Sequence, residues 1–314
     1  MGRKIILDVD PGHDDAIAIL LAGKSELDVL GITAVAGNAP LHRTVRNALT
    51  ICDIAGLKHI PVYAGMDRPM VRELVTAPEI HGESGLGGPE LPLPGLQAQK
   101  MHAIDFIVET ILKYPGEITL VPTGPLTNIA MAIQKAPDVK EKVKEIVLMG
   151  GAIGIGNTTP AAEFNLYVDP EAADIVFRSG IPITMMPLEL THQALMTTAD
   201  RQAIREIGTR LATIVADLLG FFSSTYHQIF GMNGCPLHDP CTIAMLIDPK
   251  LIEVQPMFVS VETRGTLTAG RTVCDVHGVT GHEPNAKVGM KLDKDGFLRL
   301  LLDAISSYGD VWQE

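Results

Sequence analysis

Short apolar runs alternate with longer amphipathic segments through the first two thirds of the chain. We place strands in the runs near residues 4–9, 29–36, 61–64, 117–122, 145–149 and 181–186. We place helices in the segments near residues 14–23, 42–55, 101–113, 125–135, 170–178, 199–207 and 210–230. This alternation predicts βαβ units, and therefore an α/β fold in which a mostly parallel, open, Rossmann-like sheet carries helices on both faces.

Past residue 250 the pattern changes to shorter alternating segments. They predict extra, partly antiparallel strands near 253–263, 270–276 and 286–292, followed by a closing helix from about 295 to 308. The stretch from Asp67 to Gln99 shows little periodicity, and a loop of that length in a compact domain is usually functional or disordered. Because no linker, repeat or low-complexity tract interrupts the pattern, we expect residues 1–314 to form a single domain.

Composition narrows the class of partner. Acidic residues outnumber basic ones 37 to 25, and without a basic stripe to neutralise phosphates a nucleic-acid polymer is not an expected partner. The longest apolar stretches, such as residues 16–22, fall far short of the ~20 residues that span a bilayer. The sequence shows no signal peptide, and its four cysteines have neither CxxC nor zinc-ligand spacing. We therefore expect a soluble, cytoplasmic protein with reduced thiols and no membrane contact.

Four carboxylates fall within eight residues where the first strand ends. Asp8 and Asp10 share one face of the strand, and Asp14 and Asp15 would occupy the first turn of the next helix. Asp14 and Asp15 alone could be N-terminal charges that suit the helix dipole. Asp10 weakens that interpretation, because carboxylates crowded at a buried strand end are costly unless a cation neutralises them. An all-oxygen ligand set indicates a hard cation and favours Ca²⁺ over Mg²⁺.

Polar residues follow other predicted strands as well, at the edge where open α/β sheets bind ligands. Asn38 follows the second strand, Thr123 the fourth, and the loop 154–165 the fifth. His238 and Asp239 precede a later apolar helix, where Asp239 could be a helix cap and His238 a core histidine. Each of these signals is weak by itself.

Taken together and in order, the motifs resemble those of the inosine-uridine-preferring nucleoside hydrolase family along nearly the whole chain. They are DVDPGHDDA at 8–16, VAGN at 35–38, HGESGLGG at 81–88, PTGPLTN at 122–128, MGG at 149–151, AAEFN at 161–165, VDPEAA at 168–173 and LHDP at 237–240. The sequence departs from the family pattern at PLELT, residues 187–191, where a Gly and an Asp are expected. That departure bears on the local loop shape and not on the metal site.

The resemblance implies a glycosidase that uses water to cut the N-glycosidic bond of a small ribonucleoside, releasing ribose and free base, and that forms a homotetramer. It implies Ca²⁺ held by the carboxylates of Asp10, Asp15 and Asp239 and by the backbone carbonyl of Thr123. It implies substrate contacts from Asp14, Asn38, His81, Asn157, Glu163, Phe164, Asn165, Tyr226 and Phe230. The loop motifs and the aromatic helix favour pyrimidine nucleosides such as uridine and cytidine, with inosine left open.

The chemistry of the bond fits these roles. Cleavage leaves positive charge on the ribose, and surrounding carboxylates and carbonyl dipoles stabilise that oxocarbenium-like state. Asp10 is the predicted general base toward a water whose pKa Ca²⁺ lowers, and Asp8, which should lie deeper in the strand, is the alternative. His238 is the predicted proton donor to the departing base, because histidine suits proton transfer near neutral pH. The competing interpretation of His238 is a core histidine that orients Asp239.

Other residues keep two interpretations. Tyr226 and Phe230 share a helical face and either contact the base or belong to the core. His81, in the long loop, is predicted to approach the sugar or base as the site closes. Asn128 is explained as an ordinary helix-turn residue.

Two other classes of function use some of the same residues. A calcium-dependent sugar-binding module would need the carboxylates and the Asn groups but neither His238 nor a base pocket. A phosphorylase or phosphotransferase would need Arg, Lys or a glycine-rich phosphate cradle, and the acidic clusters offer no such partner.

Overall fold

The centre of the molecule is a nine-stranded sheet, seen in a computed structural model that describes residues 2–309. The strands are β1 (Lys4–Val9), β2 (Asp28–Ala34), β3 (Val62–Ala64), β4 (Thr119–Pro122), β5 (Glu145–Met149), β6 (Ile183–Met186), β7 (Leu195–Met196), β8 (Cys235–Pro236), β9 (Ile252–Val261), β10 (Thr272–Asp275) and β11 (Ala286–Leu292). The sheet order is β10-β9-β11-β6-β5-β4-β1-β2-β3, and β7 pairs with β8 in a separate two-stranded sheet.

The strand order places a switch point in the middle of the sheet. The seven strands from β11 across to β3 run parallel, and β9 and β10 extend the sheet antiparallel. From β1 the chain proceeds outward to β2 and β3, and from β4 it proceeds outward in the opposite direction. The crevice beyond the carboxyl ends of β1 and β4 is therefore where an open α/β sheet binds its ligand. The predicted fold, with its added antiparallel strands, is confirmed.

Helices cover both faces of the sheet. They are α1 (His13–Gly23), α2 (Leu41–Ile54), α3 (Pro78–His81), α4 (Ala103–Lys113), α5 (Thr127–Lys135), α6 (Phe164–Val168), α7 (Pro170–Phe177), α8 (Leu188–Thr191), α9 (Thr198–Glu206), α10 (Arg210–Phe230), α11 (Pro240–Ile247) and α12 (Lys294–Ser306). Within residues 2–309, none of them has the length and apolar character of a membrane span.

The alternation of side chains along β1 builds two apolar cores. Ile5, Leu7 and Val9 belong to a core shared with α1, α2, α10, α11 and α12, whereas Ile6 belongs to a second core shared with α4, α5 and α7. All four side chains are fully buried, and burying one such side chain contributes about 1.5–3 kcal/mol to folding. A strand that is apolar on both faces is what a parallel sheet covered by two helical layers requires.

The sequence pattern did not predict the short helices and strands. Helices α3, α6 and α8 have four or five residues, which is too few to show a helical period, and β7 and β8 have two residues each. Within the long stretch 67–99, α3 is the one helix that the structure describes. The organisation of residues 1–314 as a single domain stays a prediction.

Candidate active site

A pocket opens at the switch point, beyond the carboxyl ends of β1, β4 and β5 and against α10. It brings together most of the residues that the sequence singles out: Asp14, Asn38, His81, Thr123, Asn157, Glu163, Phe164, Asn165, Tyr226, Phe230, His238 and Asp239. Asp10 and Asp15 are fully buried beside it, where they bond to Asn38 and Thr123. Asp14 and Asp239, which are 225 positions apart in sequence, therefore line one cavity.

Asp10 is buried between two glycines. Its Oδ2 accepts a hydrogen bond from the Asn38 backbone N–H at 2.7 Å, and its Oδ1 has no hydrogen-bond partner within residues 2–309. A Cβ atom on Gly37 would lie 2.1 Å from Oδ2, and one on Gly124 would lie 2.6 Å from Oδ1. Both neighbours of the carboxylate must therefore lack a side chain, and an unpaired buried oxygen is left for a ligand.

Asp15 is held by donors from the turn before it and from the residue that follows β4. Its carboxylate accepts the Gly12 backbone N–H at 3.0 Å, which closes the N-terminal turn of α1, and the Thr123 hydroxyl at 2.8 Å. The Asn38 side-chain amide donates to the Asp10 carbonyl at 3.2 Å and so ties this turn to the end of β2. These contacts orient the Asp15 carboxylate before any ligand arrives.

Three carboxylates meet in the pocket floor. One oxygen from each of Asp14, Asp15 and Asp239 lies within 4.8 Å of the others, and all three residues are buried. Burial raises the pKa of Asp14 to about 7, with the Asp15 charge as the second cause. Burial and the charges of Asp14 and Asp15 raise the pKa of Asp239 well above its usual range. Such a cluster is stable as carboxylates only beside a cation.

Asp10 adds a fourth buried carboxylate beside this cluster, and the donor set fits a hard metal ion. Burial and the Asp15 charge also raise the pKa of Asp10, whose Oδ1 lacks a partner. The donors are oxygen atoms throughout, which is the set that hard divalent cations prefer. The Thr123 carbonyl accepts the Asn165 amide at 2.6 Å and keeps a second lone pair. Asp14 belongs to the same cluster as Asp15 and Asp239, which the sequence motif alone did not indicate.

His238 lies between two hydroxyl groups. Its Nδ1 lies 2.7 Å from the Thr191 hydroxyl and its Nε2 lies 2.8 Å from the Tyr226 hydroxyl. Burial lowers the pKa of His238 to about 3 and raises the pKa of Tyr226 well above its usual range, so the imidazole is neutral and the phenol keeps its proton. Both ring nitrogens are therefore oriented, and Thr191, which no sequence signal pointed to, is one of the two orienting groups.

The loop after β5 presents polar groups that are already fixed. Glu163 is the N-cap of α6, and its carboxylate accepts the backbone N–H groups of Asn165 at 2.9 Å and Gly151 at 2.9 Å. Asn157 accepts the Phe164 N–H at 2.9 Å. Burial raises the pKa of Glu163 to about 7. Among the described residues that line the pocket there is no Lys or Arg.

Asp8 belongs to the layer beneath the pocket. Its Oδ1 accepts the Thr33 hydroxyl at 2.5 Å and the Asn128 amide at 2.8 Å. Asn128 in turn accepts the Met66 N–H at 2.8 Å, so it links three parts of the chain rather than serving only as a turn residue. Burial raises the pKa of Asp8 to about 7. Neither Asp8 nor Asp10 is among the residues that line the pocket, and the greater depth of Asp8 stays a prediction.

The departure at 187–191 has a local explanation. The Glu189 carboxylate accepts the backbone N–H groups of Ile153 at 2.8 Å and Gly154 at 2.7 Å, and so anchors the start of the loop after β5. Thr191, in the same segment, bonds to His238. The segment that departs from the family pattern therefore anchors the loop after β5 and orients His238.

The sequence patterns did not single out several residues that line the pocket. They are Ala77, Glu79, Ile80, Met149, Thr158, Phe222 and Ile229. Phe222 lies one helical turn before Tyr226 on α10, so helical spacing could have found it. Ala77, Glu79 and Ile80 lie in the long stretch without periodicity, where no sequence signal was available.

The model of the inosine-uridine preferring nucleoside hydrolase family matches residues 5–299. The chain belongs to this family. Family membership confirms the resemblance and the predicted enzyme class: the protein is a nucleoside hydrolase, whose substrates are small ribonucleosides.

Related sequences and structures agree with this assignment. The chain is 49% identical over 312 residues to the pyrimidine-specific ribonucleoside hydrolase RihA of Salmonella arizonae, covering 98% of this chain and 100% of that one. It is 50% identical over 311 residues to the same enzyme of a Shewanella species, with 98% of both chains covered. The solved structure of a purine-preferring ribonucleoside hydrolase from Gardnerella vaginalis is similar at a TM-score of 0.92 and 37% identity, covering 98% of this chain and 100% of that one.

The glycine beside Asp10 gives a direct test of the nucleoside hydrolase site. In Gly37→Ala the new methyl group would lie 2.1 Å from Asp10 Oδ2, so the carboxylate must move. We expect hydrolysis to fall by about 10²-fold or more, since a shift of about 1 Å has that effect. Steady-state rates and far-UV circular dichroism measure this loss in a folded protein. Gly95→Ala, whose Cβ would meet only an ordinary 3.4 Å contact, is the control, and equal rates for both variants would contradict the assignment.

Proposed function

We propose that this nucleoside hydrolase uses bound Ca²⁺ to cleave the N-glycosidic bond of pyrimidine ribonucleosides, chiefly uridine and cytidine. The observation that carries the proposal is the cluster of buried carboxylates of Asp14, Asp15 and Asp239 in a pocket that also holds the Tyr226–His238 pair. The cluster suits a sugar with a developing positive charge, and the pair suits a leaving group that needs a proton.

The Ca²⁺ ligands we propose are the carboxylates of Asp10, Asp15 and Asp239 and the carbonyl of Thr123. The clustering of Asp15 with Asp239, the unpaired Oδ1 of Asp10 and the raised pKa of each aspartate support this set. When bound, Ca²⁺ supplies a positive charge that lowers the pKa of the attacking water and orients the ribose hydroxyls.

Asp10 is the proposed general base. The Asn38 N–H holds Oδ2 of its carboxylate, and Gly37 and Gly124 lie close on either side. Oδ1, which has no partner within residues 2–309, has two lone pairs, and we propose that one binds the cation and the other accepts the proton of the attacking water. A fixed base is effective because its orientation needs no reorganisation during the reaction.

The ribose is held by side chains from three loops. Asp14, Asn38, Asn157, Glu163 and Asn165 all line the pocket, and Phe164 lies among them. Since Glu163 and Asn165 are already bonded to backbone groups, they meet the sugar in fixed positions. The carboxylates of Asp14 and Glu163 also stabilise positive charge on the ribose as the bond breaks.

The departing base takes its proton from the His238–Tyr226 pair. The Tyr226 hydroxyl bonds to Nε2 of His238, and the neutral imidazole first takes up a proton from solvent. That proton then reaches the base either through the hydroxyl or after Tyr226 turns aside. Phe222, Tyr226, Ile229 and Phe230 of α10 form the apolar wall against which the flat base would pack. The sequence relatives named as pyrimidine-specific support uracil and cytosine as the preferred bases.

The alternative functions lack support in the pocket. A phosphorylase would need a cationic group for phosphate, and the described pocket residues include no Lys or Arg. A sugar-binding module has no use for the Thr191–His238–Tyr226 chain of hydrogen bonds. Hydrolysis explains both the acidic half and the histidine half of the site.

Two further properties belong to the proposal. We propose a homotetramer, by resemblance to the family, and light scattering after size exclusion measures the mass. We propose a cytoplasmic location, because all four cysteines are free thiols and three of them are buried, which is typical of a reducing compartment.

Substrate preference is tested by steady-state hydrolysis of uridine, cytidine, inosine and adenosine. We expect uridine and cytidine to have values of kcat/KM about 10-fold or more above those of inosine and adenosine, which corresponds to the ~1–3 kcal/mol that an apolar pocket discriminates. Released ribose is quantified as reducing sugar. Faster hydrolysis of inosine would overturn the pyrimidine preference, and no hydrolysis of any of the four would overturn the function.

Calcium dependence is tested by metal analysis and by chelation. We expect stoichiometric calcium in the purified protein, and a lower thermal unfolding midpoint after chelation, because the buried carboxylates then repel one another. Restoring Ca²⁺ should restore the midpoint and the activity. Asp15→Asn should lose calcium, whereas Asp105→Asn, at an exposed ion pair on α4, serves as the control. Full activity in a calcium-free protein would contradict the metal assignment.

The role of His238 is tested by comparing two leaving groups. His238→Ala should slow uridine hydrolysis by about 10²–10⁴-fold, the usual contribution of a general acid. Nitrophenyl riboside should lose far less, because nitrophenolate departs without a proton. Tyr226→Phe separates a relay from a direct transfer, since only a relay needs the hydroxyl. Equal losses for both substrates in His238→Ala, or loss of its calcium, would instead make His238 a structural residue.

A further inference from the structure

A glycine-rich segment, His81–Gly88, lies against the turn that joins β1 to α1; we name it the glycine loop. Its first residue, His81, ends α3 and lines the pocket. Three of its glycines adopt a positive φ, Gly82 at 75°, Gly85 at 83° and Gly88 at 112°, which a residue with a side chain rarely adopts. The loop has no strand or long helix of its own, so its position depends on contacts with its neighbours.

His13, the first residue of α1, makes the central contact. Its Nε2 lies 2.9 Å from the carbonyl oxygen of Gly87, which can only accept, so Nε2 donates. Its Nδ1 lies 3.1 Å from Nδ1 of His81; because the proton of the neutral His13 ring is on Nε2, Nδ1 of His13 accepts and Nδ1 of His81 donates. One fully buried residue therefore binds the glycine loop near both of its ends and fixes the ring of His81 by one of its nitrogens.

The surroundings of His13 are built for this contact. Its ring stacks on Phe222 at a centroid distance of 5.1 Å and on Phe221 at 5.3 Å. A Cβ on Gly12 would lie 2.5 Å from Nδ1 of His81, and a Cβ on Gly87 would lie 2.6 Å from the Phe221 ring. Glycine is therefore required at Gly12, where the turn approaches the loop, and at Gly87, where the loop approaches α10.

Two other side chains secure the same segment without touching His81. Asn47 donates from one amide group to the carbonyls of Pro11 at 3.0 Å and Ser84 at 2.9 Å, and so bridges the turn and the loop. Thr225 donates to the carbonyl of Ile80 at 3.0 Å and ties α3 to α10. These contacts hold the backbone, and His13 alone among the three reaches the imidazole.

We propose that His13 is a positioning residue for nucleoside hydrolysis. It fixes the imidazole of His81 in the pocket and ties the glycine loop to the turn that carries Asp10, Asp14 and Asp15. His81 then meets the nucleoside at a set distance from the acidic floor. The inference rests on the proposed function because its readout is hydrolysis, and it assigns His13 no contact with substrate or metal.

A double-mutant cycle tests the proposal. The proteins are the wild type, His13→Phe, His81→Ala and the double variant, and the readouts are kcat and KM for the nucleoside that the wild type hydrolyses fastest. His13→Phe keeps a ring in the stack but removes both side-chain hydrogen bonds. We expect a loss of about 10- to 100-fold in kcat/KM for either single variant, as for a misplaced group in a site. The double variant should lose no more than His81→Ala alone, because His13 acts through His81.

Two controls separate positioning from folding and from metal loss. Calcium content and the thermal midpoint of His13→Phe are measured beside those of His42→Phe, an exposed histidine on α2. The cycle is repeated with His13→Gln, because the glutamine amide nitrogen lies nearly where Nε2 lies and can donate to Gly87. This variant should be more active than His13→Phe. It replaces His13→Phe in the cycle if that variant does not fold.

Each remaining outcome counts against the proposal. Losses that multiply in the double variant would show that His13 acts independently of His81, through the fold or the metal. Wild-type rates for His13→Phe or for His81→Ala would overturn it equally. A wild-type protein that hydrolyses no nucleoside contradicts the proposed function itself, and that result is obtained before any variant is measured.

Discussion

The carboxyl edge of the sheet is organised around the cost of burying several carboxylates together. Asp10, Asp14, Asp15 and Asp239 are all buried, and burial raises the pKa of each, with repulsion from neighbouring carboxylates adding to the rise for Asp10, Asp14 and Asp239. Folded proteins rarely bury such clusters without a counter-ion, because each unpaired buried charge costs several kcal/mol. The arrangement is sustained only if the surrounding backbone donates hydrogen bonds and a cation balances the rest. The turn after β1, the glycines beside Asp10 and the position of α11 all follow from that requirement.

Two layers of hydrogen bonds, one around Asp8 and one around Asp10, offset part of this cost. In the lower layer Oδ1 of Asp8 is bonded to Thr33 and Asn128, which connect β1, β2 and α5, and Oδ2 has no hydrogen-bond partner within residues 2–309. In the upper layer the Asn38 N–H bonds to Oδ2 of Asp10, and Oδ1 of Asp10 is left without a partner among the same residues. The lower layer links the strands to α5, whereas the upper layer adjoins the carboxylate cluster where we propose that the cation binds. This division explains why two aspartates only two residues apart have different roles.

The periodic parts of this protein could be predicted from its sequence, and the contacts between distant segments could not. Buried strands such as Lys4–Val9 and long helices such as Arg210–Phe230 repeat apolar residues with a period that a sequence displays. Most of the predicted site residues lie in one pocket because their motifs follow strand ends, which the topology brings to one edge. Thr191 beside His238, and His13 beside Gly87, are set by tertiary packing across dozens of residues, for which a single sequence carries no period or spacing. The short helices α3, α6 and α8 escaped prediction for the same reason, since their neighbours and not their propensities determine them.

The two halves of the pocket are built from different parts of the fold, and this separation bears on how specificity varies in the family. The acidic half depends on β1, β4 and α11, where Asp10 lies against two glycines and Asp15 accepts a backbone N–H, so little change is tolerated there. The half that we propose faces the base is one face of α10, where Tyr226 is buried but Ile229 and Phe230 are 45% and 38% exposed, so substitutions there disturb few neighbours. A helix face can exchange side chains without moving the proposed metal ligands. Relatives named as pyrimidine-specific and as purine-preferring both match this chain along nearly its whole length. This is expected if side chains on α10 select the base, because they can change without moving the carboxylates at the strand ends.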